Sequence, residues 1–149
     1  MNIYKFKNIR LGNKYKKLKN EYLDYISHED IDLIRIWRNN QTKILRQNKP
    51  ISKIEQKNYF YKIVRKETKK NKPKLILFAI KKREKTIGYC GLVHISWLNK
   101  HAEISFLLDH KLKERKKNYK PIMLRSFNKL FQIGFNKLNL TNNNIIHGI

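Results

Sequence analysis

One cysteine, three prolines and five glycines are all that 149 residues hold of the types that staple, break or bend a chain. The lone thiol, Cys90, permits no intrachain disulfide, so stability must come from an apolar core, and the chain suits a reducing cytoplasm. Cys90 lies inside an apolar run, where a thiol packs inertly instead of acting as a nucleophile. No run reaches the roughly 18 apolar residues that span a bilayer. The basic segment before residue 20 lacks the apolar stretch of a secretory signal. The expectation is a cytoplasmic protein with no membrane partner. There is also no Ser/His or Cys/His pattern for nucleophilic catalysis, and no metal is expected.

Acidic residues are scarce as well: 11, against 35 Lys and Arg, for a formal net charge of +24. Such a field attracts phosphates and other anions. Lys outnumbers Arg by 27 to 8, whereas nucleic-acid readers lean on Arg for bidentate contacts. An AT-rich coding bias also yields Lys, Asn and Ile, so a solvated lysine coat is favoured over a nucleic-acid surface. Nucleic acid stays the secondary partner. A hydrophobic content of 40% is enough for one core and one domain.

Residues 1–20 form a basic arm or an extra strand. Tyr22 to Ile26 alternates as a strand. Ser27 reads as an N-cap for a helix over 28–39, with Glu29 and Asp30 in its first turn and Ile31, Ile34 and Trp37 on its apolar face. Ser52-Lys53-Ile54-Glu55 is a capping box opening a second helix. Leu75–Ile80, Thr86–Trp97 and His101–Asp109 then form an antiparallel meander. His110–Lys120 reads as a basic, structureless stretch. Pro121 opens a long helix with a stripe of Phe127, Leu130, Phe131, Phe135 and Leu138, and a short strand over 144–149 follows. Tyr59, Phe60 and Tyr61 are consecutive and cannot share one helix face; Phe60 is the core candidate.

This order, β-α-α-β-β-β-α-β, resembles the GNAT superfamily of acyl-CoA N-acyltransferases. So do three local stretches. Asp32–Asn39 is similar to the first helix and acceptor loop of the branch that acetylates ribosomal-protein N-termini and amino sugars. Ile87-Gly88-Tyr89-Cys90-Gly91-Leu92-Val93 resembles its third strand, and Ala102–Asp109 its fourth. The resemblance covers roughly 22–149. It implies an α/β (α+β) fold: a mixed, mostly antiparallel sheet with helices on both faces in a single domain over 21–149. It also implies a closing helix, the usual carrier of a general-acid tyrosine, and a strand pair, which the chain is expected to lack. A homodimer that completes the sheet is one expected consequence.

The resemblance implies acetyl-CoA as donor and a primary amine as acceptor, either an amino sugar, for instance a nucleotide-linked one, or a protein N-terminus. Acyl transfer to an amine requires a neutral nitrogen, a polarised carbonyl and a stabilised thiolate. Carried over, the backbone of Phe106, Leu107 and Leu108 pairs with the pantetheine arm. Arg115, Lys116, Lys117, Asn118, Tyr119 and Lys120 stand at the pyrophosphate loop, with Asn118 and Lys120 where glycines are usual. Glu103 is the first candidate for a general base and His94 the second. Trp37, Arg38, Asn39, Arg46 and Gln47 wall the acceptor site, with core packing the competing role for Trp37. The alternative function is an inactive module of this fold whose basic surface binds RNA, the ribosome or another anionic partner.

Overall fold

The computed structural model describes residues 9–10, 21–42, 45, 47–114, 116–140 and 145–147. Its elements run β1 (Ile9–Arg10), β2 (Glu21–Tyr25), α1 (Asp30–Asn40), α2 (Lys53–Tyr59), a π-helical turn (Phe60–Val64), α3 (Arg65–Glu67), β3 (Ile76–Lys82), β4 (Lys85–Ser96), β5 (His101–Leu108), α4 (His110–Glu114), α5 (Lys116–Lys137) and β6 (Ile145–His147). The strands lie side by side in chain order. Every neighbouring pair is antiparallel except β5 and β6, which are parallel. The mixed sheet and the element order agree with the sequence-based expectation, with β1 as an added edge. Among the described residues no helix is long and apolar enough to cross a membrane.

Strand alternation splits the core in two. On one face, Leu23, Phe78, Cys90, Ile104 and Leu108 pack under Ile122, Leu130 and Ile133 of α5. On the other, Leu77, Tyr89 and Leu107 pack against Ile31, Ile34 and Trp37 of α1 and Phe60 and Val64 of the π turn. Burying side chains of this size stabilises by about 1.5–3 kcal/mol each. Burial pushes the Cys90 thiol far above its ordinary pKa, as suits an inert packing group.

Scarce glycine has two visible consequences. Arg83 and Glu84 both adopt positive φ, 49° and 65°, and form the two-residue turn between paired Lys82 and Lys85, a geometry usually given to Asn-Gly. Glycine is kept where a side chain has no room: a Cβ on Gly91 would sit 2.0 Å from the Ile76 carbonyl oxygen, and one on Gly88 would sit 2.5 Å from that of Leu107. Close contact on both sides of β4 therefore depends on these two positions.

Three expectations need correction. Ser27 is not the N-cap of α1; that position is Glu29, with no side-chain cap. Instead the Ser27 amide and hydroxyl donate to Asp30 at 2.8 and 2.9 Å, the backward half of a capping box. The stretch from His110 is helical, because Asp109 caps it: the Lys111 amide donates to its carboxylate at 3.0 Å and the Leu112 amide to its carbonyl at 2.9 Å. Pro121 consequently lies inside α5 and not at its start. The Ser52–Glu55 capping box is formed in both directions.

Asp30 ties α1 to the sheet. It is 2% exposed and accepts from Thr86 at 2.5 Å and Lys81 at 3.1 Å. Burial opposes its charge, but the Thr86, Ser27 and Lys81 hydrogen bonds outweigh it and hold the carboxyl below its ordinary value. A depressed carboxylate stabilises the fold above its unfolded pKa and loses that contribution as pH falls through the lower folded value. Asp30→Asn, which leaves Lys81 without its counter-ion, is expected to lower unfolding free energy by about 3 kcal/mol at neutral pH. Denaturant melts should show the gap between variant and parent closing as pH drops below 3.8.

Candidate functional site

β5 presents two main-chain edges. Toward β4, the Asp109 amide donates to the Ile87 carbonyl at 2.9 Å, and the register continues without a shift from Gly88↔Leu108 to Val93↔Glu103. Hydrogen-bonded pairs alternate in an antiparallel ladder, so Leu107 and Ser105 bond to β4. Phe106 and Leu108 aim their N–H and C=O the other way. Gln41 confirms the direction: its buried amide donates to the Leu108 carbonyl at 2.9 Å.

On that outer side β6 meets only the first part of β5, at Ala102↔Ile145, Glu103↔Ile146 and Ile104↔His147. Among the described residues, no strand pairs with 105–108 there. Among the described residues the pairing with β6 ends at Ile104. Beside the stretch that follows, the Tyr119 ring of α5 packs edge-to-face on Phe106 at 5.9 Å, and Phe127 does the same at 5.4 Å. The first turns of α5 thus stand next to the open stretch of backbone.

The opposite face of β5 carries Glu103, Ser105 and Leu107. With β4 and α1 it forms a cleft of about 460 Å³, lined by Glu103, Ser105, His94, Tyr89, Arg38 and Tyr59 among others. His94 has φ 51° within the β4–β5 irregularity between Val93 and Ser96, so a bulge turns this exposed ring to the cleft mouth. Arg38, at the end of α1, donates to the 3%-exposed Tyr89 hydroxyl at 3.3 Å. Its Nε is buried and has no hydrogen-bond partner among the described residues. A desolvated guanidinium nitrogen without an acceptor is unfavourable by itself. Burial pushes the Tyr59 phenol up, against the opposing effect of the Arg38 charge, so the phenol keeps its proton at neutral pH.

The residues named from sequence divide accordingly. Glu103, His94 and Arg38 meet in one cleft. Phe106 and Leu108 present open backbone, whereas the Leu107 main chain serves β4. Trp37 is 3% exposed in the core. Asn39 and Gln47 organise the loop after α1: Asn39 bonds both ways with the Ile51 backbone at 2.7 and 2.9 Å, and Gln47 donates to Asn39 at 3.0 Å. Lys116, Lys117, Asn118, Tyr119 and Lys120 are helical residues of α5 and not a loop, and Asn118 has no positive φ. Arg115 and Arg46 lie outside the described residues. Tyr59, Tyr89, Ser105 and Gln41 join the site unannounced. Alternation along β5 puts Ser105 on the side of Glu103; nothing in the sequence marks Tyr59, Tyr89 or Gln41.

Comparison with known proteins bears on this geometry. Residues 23–145 match the family model for the acetyltransferase (GNAT) domain. Among solved structures, a probable acetyltransferase superposes with a TM-score of 0.63 at 17% identity, over 89% of this chain and 69% of that one. The spermidine N-acetyltransferase of Vibrio cholerae, in complex with CoA and spermine, gives 0.61 at 18% identity, over 81% and 67%. The microcin C7 self-immunity acetyltransferase MccE, in complex with acetyl-CoA and AMP, gives 0.58 at 20%, over 80% and 66%. The chain spans about two thirds of the length of these proteins. No curated protein sequence matches. A domain match over most of the chain, on a mixed sheet in the matching order, gives the ancestry: the chain belongs to the GNAT acetyltransferase family.

Proposed function

We propose that the chain transfers an acetyl group from acetyl-CoA to a primary amine that also carries an anionic group. The observation that carries this reading is the stretch of β5 beyond Ile104 that no described strand pairs, where the Phe106 N–H and C=O and the Leu108 N–H face outward beside an acid-and-cation-lined cleft. The site fits the donor in chemical kind. The amide-bearing arm of acetyl-CoA matches a strand edge with outward main-chain groups, and the Lys-rich sequence at the start of α5 would supply its phosphates with positive charge.

When bound, acetyl-CoA supplies a thioester whose carbonyl carbon accepts the amine lone pair, with the C–S bond breaking and the thiolate leaving as CoA. The remaining work falls to side chains. Glu103 accepts the proton that the amine loses, directly or through a water, which keeps the nitrogen nucleophilic. His94, at the mouth of the cleft, passes that proton to solvent. Arg38 holds the acceptor through an anionic group, supplying the acceptor its buried Nε lacks. Acceptors with this chemistry include phosphorylated or nucleotide-linked amino sugars and acidic protein N-termini. A polyamine is disfavoured, since a chain of net charge +24 repels polycations and an arginine faces the cleft.

One observation favours a second reading, a module of this fold without turnover whose basic surface meets an anionic partner. The segment in the place of the phosphate loop is helical, and the Asp109 carboxylate caps α4 just before it, which sets negative charge near the place where an anion otherwise docks. Steady-state acetyl transfer from acetyl-CoA across anionic, neutral and polycationic amines separates the two. Turnover with an anionic amine supports the first; no turnover with any amine, together with no acetyl-CoA binding, supports the second.

Glu103→Gln is expected to lower kcat about 10²- to 10⁴-fold with acetyl-CoA affinity unchanged, as read by steady-state kinetics and calorimetry. Arg38→Gln is expected to raise KM for an anionic amine roughly ten- to hundredfold and to leave KM for a neutral amine nearly unchanged. Equal losses for both amines would assign Arg38 a packing role instead.

A further inference from the structure

Tyr59, Phe60 and Tyr61 point three ways. At these residues the helix widens into its π turn, a form often found at functional sites. Tyr59 lines the cleft, Phe60 is core, and Tyr61 lines a separate cavity of about 420 Å³ between the end of β2 and α3. Phe60 and Val64 stand between this cavity and the cleft, lining the second cavity on one side and a narrow recess running to Arg38 and Tyr89 on the other.

The cavity has an apolar floor and a basic rim. Ile26, Phe60, Val64 and Leu77 supply the floor, and His28, Arg65 and Lys69 the rim; no carboxylate lines it. Asp30, close by in sequence, is already engaged by Ser27, Thr86 and Lys81. The Tyr61 ring is held at its hydroxyl, which is hydrogen-bonded to His28 Nδ1, and the Arg65 guanidinium lies over the ring, 5.8 Å from its centroid. A held aromatic face beside two cations and an apolar floor suits a ligand with a flat apolar body and an oxyanion.

We propose that this cavity binds a small aromatic anion, an aryl carboxylate or aryl phosphate, with its ring on Tyr61 and the floor and its oxyanion held by Arg65 and Lys69. The site is distinct from the acetyl-transfer cleft and does not depend on turnover there.

The test is an amide NMR titration of the full chain with benzoate, phenyl phosphate, benzyl alcohol and acetate, each with and without saturating acetyl-CoA. Benzoate or phenyl phosphate should shift the amides of Tyr61, Arg65 and Thr68 saturably at millimolar concentration, equally with acetyl-CoA present. The tighter of the two identifies carboxylate or phosphate as the recognised group. Benzyl alcohol, lacking the charge, and acetate, lacking the ring, should each bind at least about tenfold more weakly. The double variant Arg65→Gln/Lys69→Gln, at two exposed positions, should weaken the aryl anion by a similar factor while its melting temperature stays that of the parent. The proposal is overturned by equal binding of benzyl alcohol, by shifts at Tyr59, Tyr89 and Ser105 that acetyl-CoA abolishes, or by no saturable shift at Tyr61 with either aryl anion.

Discussion

A strand has two main-chain edges, and in a closed sheet both are paired; among the described residues β5 pairs both only as far as Ile104. Beyond that residue one edge stays joined to β4, and no described strand meets the other. Unpaired strand groups near a core are unfavourable unless something meets them. The protein meets one of them itself, by aiming the Gln41 amide at the Leu108 carbonyl. The Phe106 groups and the Leu108 amide point the same way and remain on the cleft side. Other groups are arranged around this stretch: α5 packs through Tyr119 and Phe127 onto Phe106, and Glu103 stands on the opposite face of the same strand, beside the last described pair with β6.

Two glycines keep that arrangement rigid. β4 lies between β3 and β5, and Gly91 and Gly88 let its neighbours approach closer than any side chain would permit. Asp30 adds a polar tie from α1 to β3 and β4 through Lys81 and Thr86, which anchors the helix carrying Arg38. The cleft is thus walled by elements whose relative positions are fixed by packing and by one buried ionic cluster. A site that must hold its reacting groups closely benefits from such support.

Much of the fold could be read from residue order because its signals are local. The Ser52–Glu55 box, the alternation along β5 and the apolar stripe of α5 each need only a few adjacent residues. Glu103 was traceable for the same reason: alternation puts it opposite Ile104. What escaped depends on distant partners. Ser27 looks like a cap until Asp30 is seen drawing its amide and hydroxyl. The Lys-rich stretch after His110 looks too charged to order, yet Asp109 supplies the cap that starts a helix there. Tyr59 closes α2 just before the π turn and lines the cleft through the way that helix docks on the sheet, which no local pattern announces. Asn39 and Gln47 illustrate the converse: polar residues in the right place for substrate contact that hold the loop's own backbone instead.

The central claim concerns which amides of β5 are available to a bound donor, and hydrogen exchange resolves it residue by residue. In the free protein, the Leu107 amide should exchange slowly, protected by β4, while those of Phe106 and Leu108 exchange faster. Saturating acetyl-CoA should slow Phe106 and Leu108 and leave Leu107 as it was. Unchanged exchange at Phe106 and Leu108, or slow exchange at both before acetyl-CoA is added, would contradict the account.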